Sequence, residues 1–140
     1  MRGLKHLRIH CVLLVLLFSG CKGSSNPAAD LGVVTNKISK DFSDVPRIST
    51  SDLADWSKDS SRMAPQLLDV REPAEYAVSH LPGAIRISPD EEADQFMGRI
   101  DSSRPIVVYC SVGYRSSILA KRLIAAGAKQ VMNLEGSIFK

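Results

Sequence analysis

Ile106-Val107-Val108-Tyr109-Cys110-Ser111-Val112-Gly113-Tyr114-Arg115-Ser116 is the stretch on which the reading of this chain turns. Its first four residues form a short apolar run rich in β-branched side chains, the mark of a strand buried on both faces. From Ser116 a helical pattern follows, with apolar residues at Leu119, Leu123 and Ala126, and Gly127 as the stop. Between strand and helix lies a loop that opens on a thiol and carries one glycine and one arginine. A loop curling from a strand end into a helix N-terminus turns successive backbone N–H groups inward and makes an anion cradle. Gly113 can adopt the positive φ that such a curl needs. Arg115 adds a permanent cation. A thiol at the base of this cradle is stabilised as thiolate and becomes a nucleophile at neutral pH.

Outward from that loop the pattern repeats. Apolar runs at 67–70, 84–87 and 131–134 are further predicted strands, and a weaker one at 47–48 opens the sheet. Helical segments fall between them. One at 51–56 starts on Ser51, a residue suited to capping; one at 73–78 starts on Pro73; one at 90–100 is acidic at its start. Strands alternating with helices predict an α/β protein with a parallel sheet covered by helices on both faces. In such sheets chemistry lies beyond the carboxyl ends of the strands, where Cys110 stands.

The motifs, taken together, resemble the single-domain rhodaneses. They are Asp69-Val70-Arg71-Glu72-Pro73 with Glu75-Tyr76, then His80-Leu81-Pro82-Gly83-Ala84-Ile85, then Tyr109-Cys110 through Arg115-Ser116-Ser117, and Gly127 with Asn133-Leu134-Glu135-Gly136. They arrive in family order from about Val45 onward. The resemblance implies a rhodanese-like three-layer sandwich around a parallel sheet of about five strands. It also implies transfer of sulfane sulfur through a cysteine persulfide. By position, Cys110 is the sulfur carrier, Ser111, Val112, Gly113, Tyr114 and Ser116 form the cradle, and Arg115 is its anion-binding cation. Asp69 and Arg71 are expected to shape the substrate pocket or to form a structural ion pair and cap. His80 is read as a hydrogen-bonded turn residue rather than a base for Cys110. Two departures stand out. The loop carries Val112 and Tyr114 in place of further cations, which weakens the case for thiosulfate preference. The family continues past Gly136 with a closing helix, whereas here Ser137 follows and Lys140 is the last residue, so either the chain is truncated there or the domain lacks that helix.

The first 20 residues read as an address. Arg2, Lys5 and Arg8 precede an apolar run of eight residues, Cys11 to Phe18, and Ser19-Gly20-Cys21 follow. This is the layout of a secretory signal, and the run is far shorter than the roughly 20 residues a spanning helix needs. Phe18-Ser19-Gly20-Cys21 resembles a bacterial lipobox, which implies cleavage before Cys21, acylation of that residue, and a lipid anchor in the cell envelope, with the domain on the periplasmic side. Residues 22–45 mix Gly, Ser, Asn, Pro and charges and are read as a flexible tether; the domain is expected over 46–140.

Composition narrows the classes. The formal charge of +3 comes from 18 Lys and Arg against 15 Asp and Glu, and the three basic residues of the leader account for it. No basic stripe with interleaved aromatics exists, so no nucleic-acid partner is expected. With Cys11 removed and Cys21 acylated, Cys110 is left as the one free thiol, with no partner for a disulfide. One histidine beyond the leader and one thiol cannot build a structural zinc site, and no metal or cofactor is expected. A persulfide on Cys110 must therefore pass to an external thiol or other thiophilic acceptor, having come from a small sulfur-containing donor. Two other functions compete with the sulfurtransferase reading. A non-catalytic envelope module that binds a partner or senses sulfur species is compatible with an intact loop. A cysteine phosphatase of the dual-specificity or Cdc25 type also uses a Cys-to-Arg loop. Those enzymes place five residues between the two, against four here (Ser111 to Tyr114), and the shorter ring suits a small sulfur species better than a phosphoryl group.

Overall fold

The structure is a computed structural model, and it describes residues 27–139. In chain order the elements are α1 (Pro27–Asp41), β1 (Arg47–Ile48), α2 (Thr50–Lys58), β2 (Gln66–Asp69), α3 (Pro73–Val78), β3 (Ile85–Arg86), α4 (Ala93–Met97), β4 (Ile106–Tyr109), α5 (Tyr114–Ala125) and β5 (Val131–Leu134). A 3-10 turn, Ser137–Phe139, follows β5. The five strands form one parallel sheet in the order β1-β5-β4-β2-β3.

β4 is the middle strand, and all four of its residues are wholly buried. Alternation along it feeds two cores. Ile106 and Val108 join Leu68, Phe96, Leu119, Leu123 and Val131 on one face, the face of α4 and α5. Val107 and Tyr109 join Ile48, Leu53, Trp56 and Leu134 on the other, the face of α2. Burying Ile106, Val107 and Val108 contributes about 1.5–3 kcal/mol each. This is the three-layer α/β sandwich expected from the alternation of strands and helices. Its sheet ends together on one side, and Cys110 follows the central strand there.

Element boundaries depart from the sequence reading by one residue at β2 and β3, by one or two at α2 and α5, and by about three at α4. α2 is capped by Ser49, whose Oγ accepts the Asp52 N–H at 3.0 Å, so the helix starts ahead of Ser51. α4 covers five residues of the 90–100 segment, since the turn before it is held by Glu91 instead. The Ser88 N–H and the Arg99 guanidinium both donate to the Glu91 carboxylate. α5 begins at Tyr114, two residues early, because Gly113 at φ 96° is its cap.

The larger correction concerns residues 22–45, read as a flexible tether. Pro27–Asp41 is a helix of 15 residues. Ile38 and Val45 are buried, and Phe42 packs against the core of the α5 face. The spacing 38, 42, 45 puts these residues on one side of a helix and its exit. Lys37 and Asp41 pair at 2.8 Å one turn apart, and the Arg47 guanidinium donates to the Ser39 carbonyl at 3.0 Å. The residues that reach the core fall in the last third of the segment, while Leu31, Val33 and Val34 stay exposed, and a composition rich in Gly, Ser and Asn hid the pattern. The call on residues 1–20 and on Cys21 lies outside the described residues. Among the described residues no helix is long and apolar enough to cross a membrane.

A docked α1 has a measurable consequence. Ile38→Ala is expected to lower unfolding stability by about 2 kcal/mol or more in urea titration, as truncation of a buried aliphatic does. A loss within about 0.5 kcal/mol, typical of an exposed site, would show that α1 is not part of the cooperative unit.

Candidate active site

Cys110 is 1% exposed at the carboxyl end of β4. Burial on its own pushes the thiol up, because it disfavours the charged form. Here hydrogen bonds outweigh it: the Ser116 hydroxyl and the backbone N–H groups of Ser116, Val112 and Gly113 hold the thiol below its ordinary value. The Gly113 N–H lies 3.1 Å from Sγ and the Ser116 Oγ 3.4 Å. The loop is thus a cradle of donors around one sulfur, as its strand-to-helix curl leads one to expect.

The cradle is held from behind. The Gly113 carbonyl accepts from the Ser117 N–H at 3.0 Å, from Ser117 Oγ at 2.7 Å and from Asn133 Nδ2 at 3.1 Å. Asn133 Nδ2 also donates to Ser117 Oγ at 2.7 Å. Asn133 comes from β5, the neighbour of β4, so the sheet register itself places the amide under the loop. A Cβ on Gly113 would come 3.5 Å from Asn133 Nδ2 and 3.8 Å from Ile38 Cγ2. Positive φ, rather than lack of space, is what calls for glycine there. The same distances show α1 touching the loop. Ser111, Val112 and Gly113 open onto a cavity of about 480 Å³ bounded across from them by Leu31, Thr35 and Ile38.

The other rim is charged. Arg115 gives Glu75 two hydrogen bonds, Nη1 to Oε2 at 2.7 Å and Nη2 to Oε1 at 3.0 Å. Ser111 Oγ donates to Glu75 Oε1 at 2.6 Å and accepts from Arg115 Nη2 at 3.1 Å. Glu72 stands 3.9 Å from Arg115. Glu75 also accepts the Glu72 N–H at 3.0 Å as half of the capping box of α3. Arg115 first, then Ser111, lower the Glu75 carboxyl to about 2. Arg115 is therefore not a free cation awaiting an anion. It is half-neutralised by a carboxylate that the sequence reading quoted in a motif but gave no role. Asn133 was passed over in the same way. The signal for Glu75 was the Glu72…Glu75 spacing of a capping box. Its reach to Ser111 and Arg115, 36 and 40 residues away, left no local trace.

Asp69 ends β2 and Arg71 lies just beyond it. They are 0% and 3% exposed and pair at 2.7 Å. Arg71 Nε also donates to Asp69, and Arg71 Nη2 donates to the Ser79 carbonyl at 2.5 Å. This burial and pairing favour the structural ion pair of the two readings the sequence left open. His80 stacks on Tyr76 with ring centroids 3.9 Å apart, and its Nδ1 lies 3.0 Å from the Tyr76 carbonyl. It lies in an extended stretch ahead of the turn at Pro82 and Gly83. Tyr114 is half-exposed and meets the Phe42 ring edge-on. Among the described residues Cys110 is the free cysteine, and no cluster of metal-ligating side chains occurs.

Fold and loop together define an α/β protein that presents one anion-cradled thiol at the end of its central strand. Residues 49–140 match the family model of the rhodanese-like domain, and the chain belongs to the rhodanese-like family. It is 36% identical over 75 residues to the uncharacterized protein YqhL of Bacillus subtilis, covering 54% of this chain and 59% of that one. It is 35% identical over 71 residues to the thiosulfate sulfurtransferase GlpE of Pseudomonas aeruginosa, covering 51% and 64%. The crystal structure of a rhodanese-like domain protein from Staphylococcus aureus aligns with a TM-score of 0.59 at 26% identity, over 67% of this chain and 88% of that one. The chain thus spans about six-tenths of the length of these two curated relatives.

The hydrogen bonds to sulfur make a checkable claim about acidity. Ser116→Ala removes one donor to the thiolate and leaves burial in place. The pH midpoint of Cys110 alkylation by iodoacetamide is expected to move upward, with slower alkylation at neutral pH. An unchanged midpoint in the folded variant would show that Ser116 does not stabilise the thiolate.

Proposed function

We propose that this protein is a sulfurtransferase in which Cys110 carries sulfane sulfur as a persulfide. The observation that carries the reading is the thiol of Cys110 under the Gly113 N–H at 3.1 Å and the Ser116 hydroxyl at 3.4 Å. These groups stabilise an anion at the sulfur, and a terminal persulfide is also an anion. The Cys110 thiolate attacks the sulfane sulfur of a donor such as thiosulfate or a polysulfide, and the donor's remainder leaves with the bonding electron pair. A thiol or other thiophilic acceptor then attacks the outer sulfur and returns Cys110 to its thiolate. Loop residues Ser111 to Ser116 supply the polar surround, with Arg115 at its mouth. Membership of the rhodanese-like family and likeness to GlpE support the general class. The four-residue interval between Cys110 and Arg115 supports a small sulfur species over a phosphoryl group.

The site lends itself to a direct test. Intact-mass spectrometry of the purified protein after polysulfide or thiosulfate treatment is expected to show a gain of about one sulfur, ~32 Da. The gain is removed by cyanide or a thiol and is absent in Cys110→Ser. No adduct from either donor in folded protein would sink the reading and favour a binding role.

We also propose that the chain is exported and anchored to the cell envelope through acylated Cys21. The basic start, the apolar run and the Phe18-Ser19-Gly20-Cys21 pattern support this. Metabolic labelling with palmitate is expected to tag the protein and to fail with Cys21→Ser; equal labelling of both would rule out this anchor.

A further inference from the structure

The charges around the loop do not balance. On the α3 side Arg115 is the one cation in contact with the loop hydroxyl, and it faces Glu75 at 2.7 Å and Glu72 at 3.9 Å. The nearby Arg71 is already matched by Asp69 at 2.7 Å. On the α1 side the cavity wall holds one charge of each sign, Arg47 and Glu135. Ser111, Val112, Gly113 and Tyr114 carry none. With Cys110 as thiolate, the charged groups in contact there among the described residues are the Glu72 and Glu75 carboxylates and the thiolate against the Arg115 guanidinium, while the Arg86 guanidinium is turned to the Arg71 carbonyl at 3.4 Å.

We propose that Glu75 selects the sulfur donor. It occupies the guanidinium fork of Arg115 and leaves the mouth net negative, so dianionic inorganic donors are disfavoured and persulfides bearing at most one charge are preferred. The inference rests on Cys110 being the sulfur carrier.

The two reactions differ in the charge they gather. With thiosulfate, the Cys110 thiolate attacks the outer sulfur, the sulfur–sulfur bond of the donor breaks, and the electron pair leaves on sulfite. Three negative charges, one from the thiolate and two from the donor, then lie beside Glu75. With an alkyl persulfide the same attack breaks the carbon-bearing sulfur away as an alkyl thiolate, which takes the pair and is protonated by solvent. One or two charges gather, according to the protonation of the donor. In both cases the sulfane sulfur moves from one sulfur to another, and no outside oxidant or reductant takes part. Glu75 stays ionised throughout the working range, because Arg115 and Ser111 hold its carboxyl at about 2. The guanidinium is thus never released by simple protonation of its partner near neutral pH. An incoming dianion must compete with a carboxylate already bound through two short contacts.

The test compares two donors, thiosulfate and 2-hydroxyethyl persulfide, whose carbon chain is uncharged. Second-order rates of Cys110 persulfide formation are read by intact mass in the full chain and in Glu75→Gln. Glu75→Gln keeps the shape and one acceptor oxygen. The thiosulfate rate is expected to rise about tenfold and the alkyl persulfide rate by less than about threefold, since one charge is removed close to the reacting sulfurs. Wild-type protein offers a second reading that needs no variant. Added salt is expected to speed thiosulfate loading more than persulfide loading, because screening relieves like-charge repulsion. If wild type loads but both donors change by the same factor in Glu75→Gln, or salt slows thiosulfate loading, the assignment of Glu75 is overturned and the persulfide carrier stands. If neither donor loads either folded protein, the carrier itself fails and this inference with it.

Discussion

A thiol at the end of a wholly buried strand, held below its ordinary acid range by hydrogen bonds, is the constraint around which the rest is arranged. β4 is the central strand, and Cys110 follows it at 1% exposure. An anion in such a place is costly unless donors already point at it. The loop meets this by aiming three backbone N–H groups and one hydroxyl at Sγ. Those N–H groups hold their aim only while Gly113 stays in its left-handed conformation. Its carbonyl is therefore tied to Ser117 and to Asn133 of the next strand. The order β5-β4-β2 thus matters to the chemistry: one neighbour of β4 supplies the amide behind the loop. The other neighbour leads into α3, which carries the carboxylates in front of it.

What could be read from sequence follows the range of the interactions concerned. The run at 106–109, the cysteine after it and the glycine of the curl are local signals, and the strand, the cradle and the start of a helix follow from them. α1 was hidden because its helical signal is tertiary. Among the described residues of the segment, Ile38, Phe42 and Val45 meet the core, and their neighbours look like linker. Glu75 and Asn133 were quoted within motifs yet given no task, since the partners that matter lie 16 to 40 residues away. Asp69 and Arg71 show the opposite limit. A charged pair two residues apart at a strand end looks equally like a ligand pair or a strut, and only burial separates the two.

That strut bears on how the acidic rim is held. α3 has six residues, none is buried, and Tyr76 packs only partly against the core of the α2 face, so apolar packing alone does not fix its position. Polar contacts do so instead. At its C-terminal end Arg71, anchored on Asp69 and 5.7 Å from the Tyr109 ring centre, grips the Ser79 carbonyl. Midway, Tyr76 Oη donates to the Ala84 carbonyl at 2.8 Å. At its N-terminal end Glu75 is held by the loop itself, through Ser111 and Arg115. A short helix held this way belongs to the less stable part of a fold. Its position and the placement of the loop's guanidinium are therefore one variable. The buried Asp69–Arg71 pair need not add net stability to matter here. It fixes the far end of α3, so that the near end can place a carboxylate against Arg115. The charge at the mouth of the site is in this sense set by a buried ion pair.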